Sequence, residues 1–255
     1  VGENRTLMFL GLKQLRENPR LGFKILIKDL IRPINVSDLA FVIAPRINAA
    51  GRMDHGINAV KLMTSKDQKV VLSIARTIEF FNTERKNTEE RITKEALQQI
   101  KLEEITKSFS TVVYHPSWHK GVIGIVASRL IEHYYRPTIV LTKSEDLMVG
   151  SVRSVYGFDI YDALEACKKN IFQFGGHKYA AGLTLKSEQL KPFKEAFETY
   201  VSKNLSPEFK EPMIKYDLEV EFRDLNSKLL RIINQMRPFG PKNMRPIFAT
   251  HNCKD

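Results

Sequence analysis

The sequence predicts an α/β fold that follows a helical segment, and three observations support this prediction. Residues 1 to about 45 contain apolar residues at helical spacing but no strand pattern. From Gly56 to about Ile105 the chain has no proline, and its apolar residues keep a helical spacing. After Thr111, short β-rich runs alternate with helical runs, which is typical of an α/β domain.

The helical part is divided by prolines. The predicted helices are Arg5–Arg16, Leu21–Leu30 and a short helix that is capped by Ser37 and Asp38 and reaches Ile43. Pro19, Pro33 and Pro45 end them. One or two long helices follow and, because the stretch 82–94 is mostly polar, we expect this part to connect two globular units.

The α/β part contains four predicted strands and three predicted helices. The strands are Thr111–Tyr114, Thr138–Leu141, Leu147–Ser154 and Gly182–Lys186, and the helices are Val122–Tyr135, Ile160–Lys169 and Glu188–Lys203. Asp159 can cap the second of these helices. An apolar run at Tyr216–Phe222 and a helix near Leu225–Met236 begin a further unit.

Length and composition limit the class of protein. The 255 residues are enough for one or two domains with a buried core. No apolar run approaches the roughly 18 residues of a membrane helix, so we expect a soluble protein. Cys167 and Cys253 are too few for a disulfide framework, which favours a reducing, cytoplasmic location. A start at Val1 indicates processing or a piece of a longer protein.

The chain is strongly basic. Lysine and arginine outnumber aspartate and glutamate by 40 to 29, which gives a formal net charge of +11. Such a charge attracts polyanions through Coulomb attraction and counterion release, so nucleic acid or another phosphate ligand is the favoured partner. The alternative is a basic surface that serves solubility alone.

Two segments of the α/β part carry groups suited to phosphate. Alternation along the predicted strand 147–154 puts Ser151 and Arg153 on one face, where a hydroxyl and a guanidinium can clamp a phosphate. The glycine pair Gly175–Gly176 predicts a phosphate-binding turn beside His177. Glycines at these positions also suit a tight turn or close packing, so that alternative stays open.

A third segment, 115–121, precedes a predicted helix, and backbone N–H groups at a helix N-terminus attract anions. His115 and His119 have the spacing of metal ligands, but Pro116 breaks any helix between them and no acidic or cysteine partner completes a site. We therefore expect no metal there. Trp118 can stack on a base, although packing is the commoner role of a single tryptophan near a strand end.

The sequence contains binding groups without a recognisable reaction centre. No P-loop, no GxSxG motif and no cluster of aspartates and histidines for a divalent metal occurs in it. Arg46 and Arg52 flank a stretch of small residues that provides either further phosphate contacts or a turn with solvated arginines.

Five segments, in order, resemble one family. They are RINAAGRM at 46–53, SWHKGVIGIVASRL at 117–130, GSVRS at 150–154, FGGHKYAAGLTL at 174–185 and MRPFGPKNMRPIF at 236–248. Together they resemble the RecJ family of the DHH phosphoesterase superfamily, whose members are single-strand-specific 5′ to 3′ DNA exonucleases. The resemblance covers nearly the whole chain.

The resemblance implies a domain organisation. Residues 1–53 would be the C-terminal part of a DHH domain, 54–106 a connecting helix, 107–205 an α/β DHHA1 substrate-binding domain, and 206–255 the beginning of an OB-fold nucleic-acid-binding domain. The Mn²⁺ or Mg²⁺ centre of the family lies in aspartate-rich motifs and an Asp-His-His signature, and none of these occurs here. The resemblance therefore implies no metal ligand and no bound cofactor in this chain, which alone would be inactive.

The resemblance also implies site residues and partners. The residues that match the family's phosphate-binding motifs are Arg52, Ser151, Arg153, Gly175, Gly176 and His177, around a cleft between the DHH and DHHA1 domains that holds the 5′ end. His119 and Gly121 lie in a further matched motif and would also contact substrate. The implied partners are single-stranded DNA, a single-strand-binding protein and a helicase, in DNA recombination and repair and with no membrane.

Two alternatives stay open. A DHH-family oligoribonuclease or nucleotide phosphatase would share the GGH element, but the segment 236–248 argues against it. A non-catalytic homologue that binds single-stranded nucleic acid would keep the same fold, and only residues preceding Val1 would separate it from the exonuclease.

Overall fold

A computed structural model describes residues 1–251 and 253 of the chain. The chain divides into two compact units, one formed by residues 1–82 and 214–255 and the other by residues 83–213. The final positions of the predicted 206–255 unit, 252, 254 and 255, lie outside the described residues. None of the helices in the described part of the chain is long and apolar enough to cross a membrane.

The first unit begins with short helices packed on two small apolar cores. The helices are α1 (Glu3–Glu17), α2 (Leu21–Leu26), α3 (Val36–Asp38), α4 (Ala44–Met53) and α5 (Ile57–Thr64), with a π-helical turn at Leu39–Ile43 between α3 and α4. One core contains Leu12 and Ile43, and the other contains Ala50, Leu62 and Ile78. The predicted helices at 5–16 and 21–30 are therefore present, the second ending earlier than expected.

The predicted end of a helix before Pro45 is wrong. The helical run that begins at Val36 continues through Pro45 to Met53. Pro45 is in the first turn of α4, directly after the π-helical turn Leu39–Ile43, so its missing N–H removes no hydrogen bond that lies within α4. The predicted cap is also different, since the side chain of Asn35 accepts hydrogen bonds from the N–H groups of Ser37 and Asp38.

A long helix connects the residues of the two units in sequence. Helix α6 (Gln68–Leu102) has 35 residues, and residues 65–67 separate it from α5. Asp67 Oδ1 accepts hydrogen bonds from the N–H groups of Lys69 and Val70, which satisfies donors at the beginning of α6. The predicted stretch 54–106 is thus two helices of very different length.

The second unit is built on a five-stranded sheet in the order β1-β2-β3-β5-β4. The strands are β1 (Thr111–Tyr114), β2 (Thr138–Ser144), β3 (Leu147–Arg153), β4 (Gln173–His177) and β5 (Ala180–Leu185), and the helices are α7 (Ile123–His133), α8 (Ile160–Ala166) and α9 (Leu190–Asn204). β1 and β2 are parallel, and all other pairs are antiparallel. This sheet with its helices confirms the predicted α/β fold.

Alternation along the strands separates two faces of the sheet. Val152 and Leu183 belong to the main apolar core, which also contains residues of α8 and α9 such as Leu164 and Phe193. Helix α7 packs on β2 and β3 and reaches the other face of the sheet beside Ser151. Asp159 caps α8 as predicted, accepting hydrogen bonds from the first N–H groups of that helix.

The predicted glycine-rich turn is wrong. Gly175 and Gly176 lie inside β4, paired with Gly182 and Ala181 of β5, and the hairpin turn is made by residues 178–179. A Cβ on Gly176 would overlap the carbonyl oxygen of Ala180 and the Cα of Ala181. The glycine therefore serves close approach between two strands, the alternative that the sequence left open.

The C-terminal part of the first unit has little regular structure. It contains α10 (Ser227–Gln235) and two short parallel strands, β6 (Leu218–Glu219) and β7 (Phe248–Ala249), so the apolar run 216–222 is a strand for only two residues. Arg5 of α1 donates to the carbonyl oxygens that end α10, at Gln235, Met236 and Arg237, over 2.9–3.4 Å. A cation at this helix C-terminus satisfies carbonyls that have no partner within the helix.

Replacing Asp38 tests the helix start at α3. Its carboxylate, 4% exposed, accepts hydrogen bonds from both Nη atoms of Arg32 at 2.8 Å and from the N–H of Asn35 at 2.9 Å. The hydrogen bond from Arg32 holds the pKa of Asp38 below its ordinary value of 3.8. Asp38→Asn should therefore lower the free energy of unfolding by about 1–2 kcal/mol at neutral pH.

The pH dependence has a defined sign. Because the folded-state pKa of Asp38 is depressed, its stabilisation is present above the ordinary value of 3.8 and is lost as the pH falls through the folded-state pKa. In urea denaturation, the difference in the free energy of unfolding between Asp38→Asn and the wild type should become smaller below that pH. Asp29→Asn, at an exposed position, is the matched control, and an equal effect there would contradict the assignment.

Candidate functional site

Ser151 and Arg153 form the centre of the candidate site. Both are half-buried on the face of β3 that is opposite to Val152, as the alternation predicted. Arg153 Nη1 donates to Ser151 Oγ at 3.1 Å and to the carbonyl of Val152 at 2.8 Å. These bonds hold the guanidinium beside the hydroxyl, so the two groups present hydrogen-bonding atoms to one region of the sheet surface.

Helix α7 covers one side of this pair. A Cβ on Gly124, in the first turn of α7, would lie 2.9 Å from Ser151 Oγ and 3.1 Å from Arg153 Nη2. The helix can therefore approach the pair this closely only because residue 124 has no side chain. Gly124 is not among the predicted site residues, although a glycine in the first turn of a predicted helix was a signal for it.

His119 and Gly121 form the turn that leads into α7. The N–H groups of Val122 and Ile123 donate to the carbonyl of His119, and the N–H of Gly121 donates to His119 Nδ1 at 3.1 Å. Because Nδ1 accepts this bond, the ring proton of a neutral His119 lies on Nε2. The turn places both predicted residues at the N-terminus of α7, the same helix whose Gly124 contacts Ser151 and Arg153.

The register of the sheet brings β4 and β5 to the same site. Arg153 is paired with Ala180, which is paired with His177, so these three residues form one row across three strands. Ser151, Gly182 and Gly175 form the next row on the same face. With strands about 4.8 Å apart, the backbones at Arg153 and His177 are separated by about 10 Å.

Only small residues lie between Arg153 on β3 and His177 on β4, which we call the two walls of the site. We call Gly175, Ala180 and Gly182 the glycine floor. A Cβ on Gly175 would meet nothing within 4 Å, and one on Gly182 would meet only the carbonyl oxygen of Gly150 at 3.8 Å. Neither glycine has a positive φ, so neither the backbone nor the packing of this unit requires glycine there. The floor is an open surface beside Ser151 and Arg153.

The turn between β4 and β5 is tied to the segment that follows Arg153. The N–H of Ser154 donates to the carbonyl of Tyr179 at 3.0 Å, and the N–H of Ile160 donates to the carbonyl of Lys178 at 3.0 Å. The N–H of Tyr179 donates to Nδ1 of the exposed His177 at 3.3 Å. Main-chain bonds therefore set the position of His177 relative to the end of β3.

Trp118 has a packing role. It is 4% exposed, its Nε1 donates to Glu95 Oε2 at 2.7 Å, and its ring stacks on His115. Burial raises the pKa of Glu95, but donation from Trp118 and Arg91 outweighs burial, so the pKa lies below the ordinary value of 4.5. Glu95 is thus an anionic anchor for the segment 115–121, and Trp118 is enclosed rather than open for stacking on a base.

Two predicted site residues are placed differently from the rest. Gly176 packs against Ala181, away from the floor, and has a structural reason to be glycine. Arg52 is exposed in the last turn of α4, within the first unit. The segment 46–53 is therefore helical, and its predicted alternative as a turn is wrong because Ala49 and Ala50 are fully buried along one side of α4.

The residues present do not fit the metal centre that the resemblance implies for the longer family members. Across residues 1–251 and 253, no group of three or more His, Cys, Asp or Glu side chains could hold a metal ion. His115, the nearest candidate from spacing, uses Nδ1 to accept from the hydroxyl and N–H of Ser117. Among these described residues, the site contains hydrogen-bond donors from Ser151 and Arg153 but no ligand set for a cation.

Comparison with known proteins covers almost the entire chain. A family model for the DHHA1 domain matches residues 104–203, and a model for the RecJ OB domain matches residues 216–255. The single-stranded-DNA-specific exonuclease RecJ of Bacillus subtilis (strain 168) is 34% identical over 98% of this chain, and that of Escherichia coli (strain K12) is 31% identical over 97% of it. The chain is therefore similar to RecJ proteins over nearly its whole length and contains matches to a DHHA1 domain and to a RecJ OB domain.

Solved structures agree with this assignment. The crystal structure of RecJ from Thermus thermophilus in complex with Mn²⁺ matches 98% of this chain with a TM-score of 0.87 and 27% identity. The chain covers 37% of that RecJ structure, 32% of the Bacillus subtilis RecJ and 45% of the Escherichia coli RecJ. It therefore spans between about a third and a half of the RecJ chains it matches.

Alanine substitutions test whether the floor is open. Gly182→Ala should keep or raise the free energy of unfolding by up to about 1 kcal/mol, because its Cβ enters open space and alanine loses less backbone entropy. Gly176→Ala, on the neighbouring strand, should lower it by about 1–3 kcal/mol through overlap with β5. Urea denaturation measures both, and equal losses would show that the floor is packed.

Proposed function

We propose that this chain is the substrate-holding part of a single-stranded-DNA-specific 5′ to 3′ exonuclease, and that its second unit binds the 5′-terminal phosphate. The observation that carries the proposal is the arrangement of Ser151, Arg153 and His177 around the glycine floor. Similarity to RecJ supports it, because these relatives are named as single-stranded-DNA-specific exonucleases.

The chemistry of the walls suits a terminal phosphate. A guanidinium offers a planar fork of N–H donors, a hydroxyl adds one donor, and the imidazole of His177, whose Nδ1 accepts from Tyr179, can donate from Nε2. Arg153 is already held by Ser151 and the carbonyl of Val152, so little side-chain freedom is lost when an anion binds. Helix α7 points its N-terminus to the same region, which further favours negative charge.

The glycine floor suits the remainder of a nucleotide. Side chains at 175 and 182 would fill the space between Arg153 and His177, and their absence lets a sugar–phosphate chain lie on the backbone of β4 and β5. We place the terminal phosphate against Ser151 and Arg153 and the following sugar on the floor. Arg52, His119 and Gly121 are proposed as further contacts, with Gly175 in the floor and Gly176 setting its backbone.

The proposed exonuclease reaction belongs to the longer protein. Its Mn²⁺ or Mg²⁺ centre would come from a DHH segment outside this sequence, and no group of side chains among the described residues could hold such an ion in its place. We retain the division into 1–53, 54–106, 107–205 and 206–255 as the proposed domains. A cytoplasmic location, single-strand-binding protein and helicase partners, and a role in recombination and repair are part of the same proposal.

The competing small-substrate phosphoesterase is less well supported. The RecJ OB model matches residues 216–255, and such a nucleic-acid-binding domain serves a polymeric substrate better than a free nucleotide. A non-catalytic single-stranded-DNA-binding homologue would bind in the same way, and it differs only in the reaction of the longer protein.

Arg153→Ala should weaken binding far more than folding. Loss of a charge-assisted contact to phosphate should reduce affinity for 5′-phosphorylated single-stranded DNA about ten- to a hundredfold, with about 1 kcal/mol of lost stability. Fluorescence anisotropy with 5′-phosphorylated and 5′-hydroxyl oligonucleotides measures the preference. Lys168→Ala, whose side chain is 65% exposed beyond α8, is the control and should keep it. A retained preference in Arg153→Ala, together with a large loss of stability, would refute the phosphate clamp.

The 255-residue chain should release no nucleotides from single-stranded DNA even with added Mn²⁺, because it lacks the aspartate-rich motifs of the family. Gel electrophoresis of labelled single-stranded DNA measures the release of mononucleotides, and a full-length RecJ is the positive control. Metal-dependent digestion by the purified chain would overturn the proposed division of labour.

A further inference from the structure

The segment that leaves α9 folds back onto the second unit. Leu205 is buried, and the 3₁₀ turn Pro207–Phe209 places the ring of Phe209 against the main apolar core. Lys210 lies over the ring of Phe109, with Nζ 4.6 Å from the ring centre. The last residues of this unit are therefore docked on it by side-chain contacts.

The ring of Phe209 occupies the space that a side chain at Gly157 would fill. Gly157 has a φ of +81°, and a Cβ built on it would overlap the Phe209 ring. The ring of Tyr156 meets that of Phe209 edge-on, with 5.4 Å between the centres. The left-handed backbone at 157 and the missing side chain together form a cradle for one aromatic ring.

The cradle lies in the loop that joins the two walls of the site. Residues 154–160 begin directly after Arg153, and their N–H groups at Ser154 and Ile160 hold the turn 178–179 next to His177. Within the loop, Ser154 Oγ donates to the carbonyl of Phe158 at 2.9 Å. Because of these bonds, a change in the backbone at Gly157 would affect both Arg153 and the turn next to His177.

We propose that Phe209 is a latch that positions Arg153 and His177 by holding the loop 154–160. Its ring fixes the backbone at Gly157, and the bonds from Ser154 and Ile160 then hold the turn 178–179. The residues that follow the DHHA1 region thereby add to the sheet pairing that positions Arg153 and His177. The latch as a contact stands on the packing alone, and its effect on phosphate recognition rests on the function proposed above.

Hydrogen exchange tests the latch without any ligand. In Phe209→Ala, the amides of Ser154 and Ile160 should exchange about tenfold faster, because the loop opens locally more often. Phe209→Tyr, which keeps the ring, should restore slow exchange. Phe193→Leu, fully buried at the other end of α9, is the control for general loss of stability and should leave these two amides unchanged relative to the rest of the sheet.

Gly157→Ala keeps the test decisive if Phe209→Ala does not fold, because it displaces the same ring from the other side. It should speed exchange at the same amides. Unchanged exchange at Ser154 and Ile160, or an equal increase throughout the second unit, overturns the latch.

Binding separates the latch from the proposed function. If the wild-type chain prefers a 5′-phosphorylated oligonucleotide, Phe209→Ala should lose most of that preference, about tenfold, and Phe209→Tyr should regain it. Faster exchange with an unchanged preference would overturn the positioning role. If the wild type shows no preference, the proposed phosphate site fails, and the exchange data alone then decide whether Phe209 holds the loop.

Discussion

Val152 is fully buried in the main core, and its burial fixes the orientation of all the remaining residues of β3. Because side chains alternate along a strand, Ser151 and Arg153 must then lie on the opposite face, under α7. A slip of one residue between β3 and β5 would put Arg153 into the apolar core, at a cost far above that of a lost hydrogen bond. The apolar core thus specifies the position of the polar site.

The same register explains why the site has a floor. Pairing of β3 with β5 and of β5 with β4 sets Ser151 beside Gly182 and Gly175, and Arg153 beside Ala180 and His177. Glycine in a strand lowers the stability of the sheet, and the packing of this unit does not require glycine at 175 or 182. Binding of a ligand on the glycine floor would explain why these two positions have no side chain.

Helix α6 contributes more than a connection, because it anchors α7 above the site. Glu89, which is 9% exposed, accepts from Arg85 at 2.6 Å and from Arg129 of α7 at 2.9 Å. Glu95 holds the buried Trp118 in the segment that leads to α7. Two carboxylates of α6 therefore hold both the entry and the middle of the helix whose Gly124 covers Ser151 and Arg153, and a buried carboxylate without these donors would be costly.

The sequence by itself determined the features that depend on neighbouring residues. Strand alternation placed Ser151 and Arg153 together, periodicity located α7 and α9, and Asp159 was recognisable as the cap of α8. Only the tertiary structure decided that Gly175 and Gly176 are strand residues, that Gly124 and Gly182 border the site, and that Phe209 enters the cradle at Gly157. These features depend on which distant segment approaches a residue. A glycine has the same local sequence signal whether it allows a turn, a neighbouring strand or a ligand, so the chain that packs against it makes the choice.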